Sequence, residues 1–215
     1  VVYLCTVAPT VSFWDCGEFI AAAHSLGVPH PPGAPLYLLI VRIFSLAPFV
    51  DDIGLRINLI STIAGALATL LTYLITVRFI KEFYHHQSAA THWTAIFGSA
   101  IGALALAFSD SFWFNSVEAE VYAPSILFTT AVIYLILVWS KRHEQTASAK
   151  YLLLIAYLLG LAMGVHLLSL LAIPFIVLII YFRRYKFSWP TVLLALVAGG
   201  ALILAIDPAL VKGLP

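Results

Sequence analysis

The stretch FWDCGEFIAAAHSLGVPHPPGAPLY, residues 13–37, interrupts a chain that is otherwise a succession of apolar segments. It contains two acids, two histidines and four prolines. A carboxylate near hydrocarbon is costly unless it is partnered or hydrated, so acids in such a place usually have a task. The stretch is therefore predicted to be functional, and the alternative is a solvated loop that only joins two helices.

The composition outside this stretch is that of an integral membrane protein. The chain has 215 residues, of which 62% are hydrophobic and 10% charged, and its mean hydropathy is +1.02. A polytopic bundle of helices needs this much apolar surface and a soluble domain does not. Cys5 and Cys16 form no metal or redox motif. No metal site is predicted, a divalent-metal requirement is left open, and neither nucleic acid nor a soluble nucleotide is expected to bind.

The apolar segments predict an all-α fold of about seven spans within one transmembrane domain, residues 1–215. Residues 1–9 would be the end of a first, partial span, which Pro9 stops. Residues 10–55 would form a long external loop with juxtamembrane helices, and residues 207–215 an external end. The chain is expected to be a piece of a longer protein. The other six spans are predicted within residues 56–206, at 56–80, 93–108, 123–139, 150–165, 167–182 and 190–206.

The distribution of positive charge predicts the orientation of these spans. Eight of the eleven Lys and Arg residues fall in the segments 78–81, 141–150 and 183–186. The positive-inside rule places these segments in the cytoplasm. Because consecutive spans alternate, residues 109–122, His166 and Asp207 are expected outside. Both ends of the apolar segment 36–50 are then external, so it should lie along the outer surface or be shallowly re-entrant.

Asp15 and Glu18 are the first candidates for chemistry. Their spacing of three puts both on one face of a helix, with Cys16, Phe19 and Ala23 on the opposite arc. Carboxylates at the membrane boundary suit a general base that acts on a substrate from outside. The alternative is that they only stabilise the positive end of the helix, which explains one acid better than two.

Other external residues are candidates for substrate binding. The stiff turn of residues 30–35 could hold His30 beside the carboxylates, or be a rigid corner with an incidental histidine. Glu118 and Glu120 alternate around Ala119, so only one of them is expected to face inward easily, and solvation of both is the alternative. His166 is an ionisable residue at a membrane boundary. Arg56 opens a span as a cation for a phosphate, or as a lipid-headgroup anchor.

The motifs WDCGEF, HPPGAPLY, RINLIS, EAEVY and GVHLL together resemble a known membrane family. It is the family, long labelled only as a domain of unknown function, that includes a plexin-directed protein O-mannosyltransferase, and it looks like a branch of the GT-C glycosyltransferases. The resemblance runs from residue 13 to about 168. It implies a GT-C-like bundle with an acidic residue in the first external loop, at Asp15, with Glu18 beside it. For Arg56, Glu120 and His166 it implies only membership of the site region.

The resemblance implies an inverting transfer of sugar from a polyprenyl-phosphate-linked donor to an acceptor hydroxyl of a protein or glycan, outside the cytoplasm. The alternative is a non-catalytic GT-C-like subunit that acts as a scaffold in a larger membrane complex. Expected partners are membrane lipids, the lipid-linked donor, the acceptor and other membrane subunits. The expected location is the bacterial inner membrane, or the endoplasmic reticulum of a eukaryote.

Overall fold

A computed structural model describes residues 1–84, 88–142 and 148–206, and all regular structure within them is helical. This confirms the predicted all-α class. The predicted external end, residues 207–215, lies outside the described residues. The helices are α1 Val2–Thr6, α2 Cys16–Ser25, α3 Pro35–Leu46, α4 Ile53–Phe83, α5 Ala89–Ala107, α6 Asp110–Val117, α7 Tyr122–Arg142, α8 Ala149–Met163, a 3₁₀ helix Leu167–Leu171 that leads into α9 Ala172–Arg184, and α10 Trp189–Ile206.

Five helical segments among the described residues are long and apolar enough to cross a membrane. They are α4, α5, α7, the joined segment Leu167–Arg184 and α10. The shorter α8 has 15 residues, or about 22 Å of helix, whereas a hydrocarbon core is about 30 Å thick. The chain is thus a helical membrane protein, and the described residues do not support the expected count of seven spans.

The two ends of the bundle carry different side chains. At one end the C-terminal turns of α4, α7 and α9 lie together. Their contacts show this: Glu82 of α4 lies 2.8 Å from Lys141 of α7 and 3.7 Å from Arg183 of α9. At the other end the rings of Tyr122 and His166 are 5.2 Å apart. We call these the basic end and the acidic end. Helix α8 starts beside Arg142 and stops just before His166, so it returns from the basic to the acidic end.

Both ends of α3 lie at the acidic end. Its first turn docks on the end of α8, where the Leu36 N–H donates to the Gly164 carbonyl at 2.7 Å. A Cβ on Gly164 would lie 2.8 Å from the Leu36 Cβ, so this approach needs glycine. Beyond the other end of α3, the Arg56 guanidinium donates to the carbonyls of Ser45 and Val50. The placement of α3 along a membrane surface stays a prediction.

Close packing around α4 fixes the segment that leads to α2. Gly65 faces Ser116 so closely that any Cβ would collide with its hydroxyl. Small residues of this kind let membrane helices approach each other. The buried Asn58 amide donates to the carbonyls of Ala8 and Thr10, at 2.8 and 2.9 Å. The chain before Asp15 is therefore held against α4, and the position of Asp15 follows from it.

Candidate functional site

Helix α2 presents its carboxylates away from the core. Asp15 is the N-cap residue and Glu18 lies in the first turn, and both are exposed. The opposite face buries Cys16, Phe19 and Ala23 in a core cluster shared with α3 and α4. Burial of this apolar face holds the helix in place and leaves both acids on the accessible side.

His30 lies between the two acids. Glu18 accepts a hydrogen bond from the His30 backbone N–H at 2.6 Å. Its other oxygen lies 2.7 Å from Nδ1 of the same histidine. On the far side of the ring, Nε2 lies 4.0 Å from an Asp15 oxygen. The proline-rich turn thus places one imidazole across both carboxylates.

These contacts change the acid–base properties of the pair. The hydrogen bond from the His30 ring lowers the pKa of Glu18, and the hydrogen bond to Glu18 raises the pKa of His30. An ionised carboxylate beside an imidazolium stabilises both charges. Glu18 is therefore a poor proton acceptor, and His30 keeps a positive charge to higher pH than an ordinary histidine.

Glu118 and Glu120 both face inward, between α6 and α7, which corrects the expectation that only one could. Their residues are 1% and 5% exposed. The segment is enclosed on both sides, because the alternate residues Ala119 and Val121 are buried as well. Ser61 of α4 fixes it by bonding to both the N–H and the carbonyl of Glu120. Alternation decides which side chain is buried only where one side of a segment faces solvent.

The contacts of the two buried acids do not compensate for their burial. Neither oxygen of Glu118 has a hydrogen-bond partner among the described residues, and the same is true of Oε2 of Glu120. Burial raises the pKa of Glu118. Burial, and then the charges of Asp15 and Glu118, raise the pKa of Glu120 to about 7. Glu120 is therefore protonated in a large fraction of molecules near neutral pH.

Two cavities meet at Asp15. The larger, about 580 Å³, is also lined by Trp14, Asn115 and Glu118. The smaller, about 40 Å³, is also lined by His30 and His166. Asp15, Glu120 and Tyr122 line both cavities. The larger volume is in the range of small-molecule sites, and Asp15 borders both this cavity and the smaller one.

His166 enters the site from the other side of the bundle. It precedes the 3₁₀ helix, and its Nδ1 accepts a hydrogen bond from the Leu168 N–H at 3.1 Å. Its ring packs against that of Tyr122. Burial lowers the pKa of His166, so this histidine is neutral at physiological pH. The site thus combines one imidazole with a raised pKa and one with a lowered pKa.

Arg56 is not brought to this group. Its guanidinium donates to the carbonyls of Val50, Ser45 and Asp51, at 2.6, 2.8 and 3.3 Å. It lines neither of the two cavities. The structure gathers the other predicted site residues, Asp15, Glu18, His30, Glu118, Glu120 and His166. A phosphate-binding role for Arg56 stays a prediction, and its observed contacts fasten α3 to α4.

Asp15, Glu18 and His30 also form a grouping that could hold a metal ion. Each offers one ligand atom, and these atoms lie within 4.8 Å of one another. Carboxylate and imidazole are suitable ligands for divalent cations. All three residues are exposed, and Glu18 and His30 already bond to each other. An ion there would have to replace that hydrogen bond, and the sequence pattern alone did not indicate this site.

Trp14 is a site residue that sequence reasoning missed. Its φ of 58° is unusual for a residue with a side chain, and the residue is 85% exposed beside Asp15. Backbone strain of this kind is often found at functional sites. The only sequence signal was a tryptophan directly before the acid, which equally suits a membrane-interface anchor.

Comparison with known proteins finds a family model and two named proteins to which this sequence is similar. The family model of the "Protein O-mannosyl-transferase TMEM260 N-terminal domain" matches residues 15–189. Protein O-mannosyl-transferase tmem260 of Dictyostelium discoideum is 28% identical over 188 residues, which are 81% of this chain and 21% of that protein. Protein O-mannosyl-transferase TMEM260 of Mus musculus is 31% identical over 150 residues, which are 69% of this chain and 19% of that protein. The chain thus spans about a fifth of the length of these relatives. No solved structure gives a significant match.

Proposed function

Because the chain belongs to the family of the protein O-mannosyl-transferase TMEM260 N-terminal domain, we propose that it is the membrane core of a glycosyltransferase. In this proposal it transfers mannose to a hydroxyl group of a protein. The observation that carries the proposal is the position of Asp15 at the junction of two cavities. A general base must reach the proton of the acceptor hydroxyl, and the oxygen of that hydroxyl must lie beside the anomeric carbon of the donor, so the base belongs where the two substrates meet.

The proposed reaction is a displacement at the anomeric carbon of a polyprenyl-phosphate-linked sugar. Asp15 accepts the proton of the acceptor hydroxyl while the hydroxyl oxygen forms a bond to the anomeric carbon. The bond between that carbon and the phosphate oxygen breaks, and the polyprenyl phosphate leaves with the electron pair. Attack opposite the leaving group inverts the configuration of the sugar.

Glu18 is the less suitable base of the two candidates. Two hydrogen bonds from His30 hold its oxygens and lower its pKa. Asp15 has only the longer 4.0 Å approach to the same ring. Glu18 therefore acts as a positioning residue, which holds the His30 ring beside Asp15 and favours its charged form.

The leaving phosphate is assigned to the two histidines. Among the described residues, His30 and His166 are the only basic side chains that line either cavity. The raised pKa of His30 favours the cation that a departing phosphate needs. The neutral His166 can donate a hydrogen bond from its Nε2. Arg56 supports the site by holding α3.

The buried acids limit the negative charge around a phosphorylated donor. A protonated Glu120 is neutral and can donate a hydrogen bond to a sugar hydroxyl. Two further ionised carboxylates next to Asp15 would repel the phosphate. The raised pKa values of Glu118 and Glu120 therefore favour binding of an anionic donor over its exclusion.

The proposed active face is the one away from the cytoplasm. Glu82, Lys141 and Arg183 meet at the basic end, which the positive-inside rule assigns to the cytoplasm. The site is at the opposite end. This arrangement suits a lipid-linked donor in the endoplasmic reticulum or in a bacterial inner membrane.

The test is transfer of labelled mannose to an acceptor protein by membranes that contain the chain. We expect transfer from polyprenyl-phosphate-linked mannose and none from nucleotide-linked mannose, since the described residues offer no glycine-rich nucleotide cradle. Transfer from the nucleotide donor alone would reject the donor assignment. A complete lack of transfer, with membrane-inserted protein present, would favour the scaffold alternative.

A further inference from the structure

A separate cavity of about 330 Å³ lies at the basic end, far from the carboxylates of α2. Helices α4 and α9 both pack against α7, and the cavity is the space between their C-terminal ends. It plays no part in the proposed reaction. Its lining residues are Arg78, Phe79, Glu82, Leu137, Ser140, Lys141, Ile179, Phe182 and Arg183.

The charges of this cavity do not balance. Lys141 and Arg183 share one acid, Glu82, at 2.8 and 3.7 Å. Arg78 lies over the Tyr134 ring at 4.6 Å and donates to its hydroxyl at 3.0 Å. Among the described lining residues, three cations against one carboxylate leave two positive charges in excess. The side chains of Lys141 and Arg183 are 49% and 36% exposed, so a ligand could reach both.

The rest of the wall is apolar and belongs to spanning helices. Phe79 of α4 and Phe182 of α9 are both about half exposed within this lining. Leu137 and Ile179 complete the apolar surface. Charged groups at the end of a span with apolar groups one turn deeper match a molecule with an anionic head and hydrocarbon chains.

We propose that this cavity binds the phosphate headgroup of an anionic glycerophospholipid. The phosphate contacts Lys141 and Arg183 in competition with Glu82, and an acyl chain lies along Phe79 and Phe182. Basic pockets between membrane helices on the cytoplasmic side bind such headgroups. The inference is independent of the proposed sugar transfer, and either can fail without the other.

The test is native mass spectrometry of the purified chain in detergent, titrated with phosphatidylglycerol and, separately, with phosphatidylcholine. We expect tighter binding of phosphatidylglycerol, because only this lipid carries a net negative charge. Arg183→Gln should weaken phosphatidylglycerol binding about fivefold, the effect of one cation near a headgroup. The matched control is Arg184→Gln, which removes the same charge from the next residue, outside the cavity, and should have little effect.

Glu82→Gln should change the affinity for phosphatidylglycerol in the opposite direction, which distinguishes an effect on binding from a folding defect. Removal of the competing carboxylate should tighten phosphatidylglycerol binding, which a misfolded variant would not do. Weaker binding by this variant, or equal losses for Arg183→Gln and Arg184→Gln, would overturn the proposal. So would equal affinity for the two lipids. Millimolar inorganic phosphate should not displace the lipid; if it does, the site is one for a soluble phosphate.

Discussion

The two ends of this bundle hold ionisable groups in opposite ways. At the basic end Glu82, the acid that the described residues place there, has two cations within 4.0 Å. At the acidic end, Glu118 and Glu120 are almost fully buried and have three oxygens without a hydrogen-bond partner among the described residues. Opposite charges meet at the basic end. At the acidic end the exposed Asp15 and Glu18 share His30, whereas the two buried acids form no ion pair among the described residues.

This difference indicates where the chain gives up stability for chemistry. Half-exposed ion pairs contribute little to stability and cost little. Buried acids beside another acid oppose folding whenever they ionise, and are kept where their shifted pKa is useful. We therefore assign the reaction to the acidic end, and the packing of helices and the contact with lipid to the basic end.

An all-or-none experiment tests whether the two ends face opposite sides of the membrane. In a Cys5→Ser background, the Asp51→Cys variant should be labelled by a membrane-impermeant thiol reagent that is added to the outside of intact membranes. Lys150→Cys should react only after the membrane is opened. The buried Cys16 should stay silent. Labelling of both new cysteines from one side would break the comparison.

The largest graded effect is expected at Asp15. Asp15→Asn keeps the size and removes the base, so transfer of labelled mannose should fall at least about a hundredfold. The matched control is Asp51→Asn, an exposed acid at the same end that lines neither cavity of the site. Rates are compared per amount of inserted protein. Near-normal transfer by Asp15→Asn would remove it as the base.

Glu120 should make the stability of the chain depend on pH. Its pKa rises from 4.5 to about 7 on folding, so the folded state binds the proton more tightly than the unfolded state. The resulting stabilisation is complete below about pH 4.5 and lost as the pH rises to about 7, in total about 3 kcal/mol. Thermal unfolding in detergent between pH 5 and 8 measures it. Glu120→Gln should abolish this part of the slope, and an unchanged slope would contradict the assignment.

Glu18→Gln should have a smaller effect on transfer, about tenfold, because it acts through His30. Glu18 raises the pKa of His30, so the cation persists to higher pH in the native chain. Without Glu18, the fall of activity on the alkaline side should begin at lower pH. The readout is the pH profile of transfer, with His24→Gln on the same helix as control. An unshifted pH profile would mean that Glu18 does not act on transfer through His30.

The smallest effect is expected at the basic end. Glu82→Gln breaks two contacts between half-exposed groups, and should lower the free energy of unfolding by less than about 1 kcal/mol. Thermal unfolding at low and moderate salt measures it, since salt screens exposed pairs. A loss of unfolding free energy as large as that expected from Glu120 would mean that ionisable groups affect stability equally at the two ends.

Apolar length predicted the helices well, and local geometry set their limits. Helix α4 was expected at residues 56–80 and extends from Ile53 to Phe83. Its earlier start follows from Asp52, whose side chain accepts the Leu55 N–H and caps the helix. The span expected at 167–182 opens instead as a 3₁₀ helix. Pro174 falls in the first turn of α9, where a missing N–H is tolerated.

The site was less predictable because it depends on contacts between distant segments. The spacing of Asp15 and Glu18 and the stiff turn at His30 indicated a local cluster. The burial of Glu118 depends on the enclosure of its segment by other helices, which alternation does not describe. The hydrogen bonds from the Arg56 guanidinium to three backbone carbonyls depend on where α3 ends. The φ of Trp14 leaves no mark in the sequence.

The shortness of α8 has a consequence for the surrounding bilayer. A helix of about 22 Å that joins the two ends cannot match a hydrocarbon core of about 30 Å. Local thinning of the lipid beside a short helix is one way in which a bilayer accommodates such a mismatch. Leu153 and Tyr157 are exposed along this helix and would meet the thinned region. Since α8 ends next to His166, a lipid approaching along this side would carry its phosphate to the depth of the imidazole.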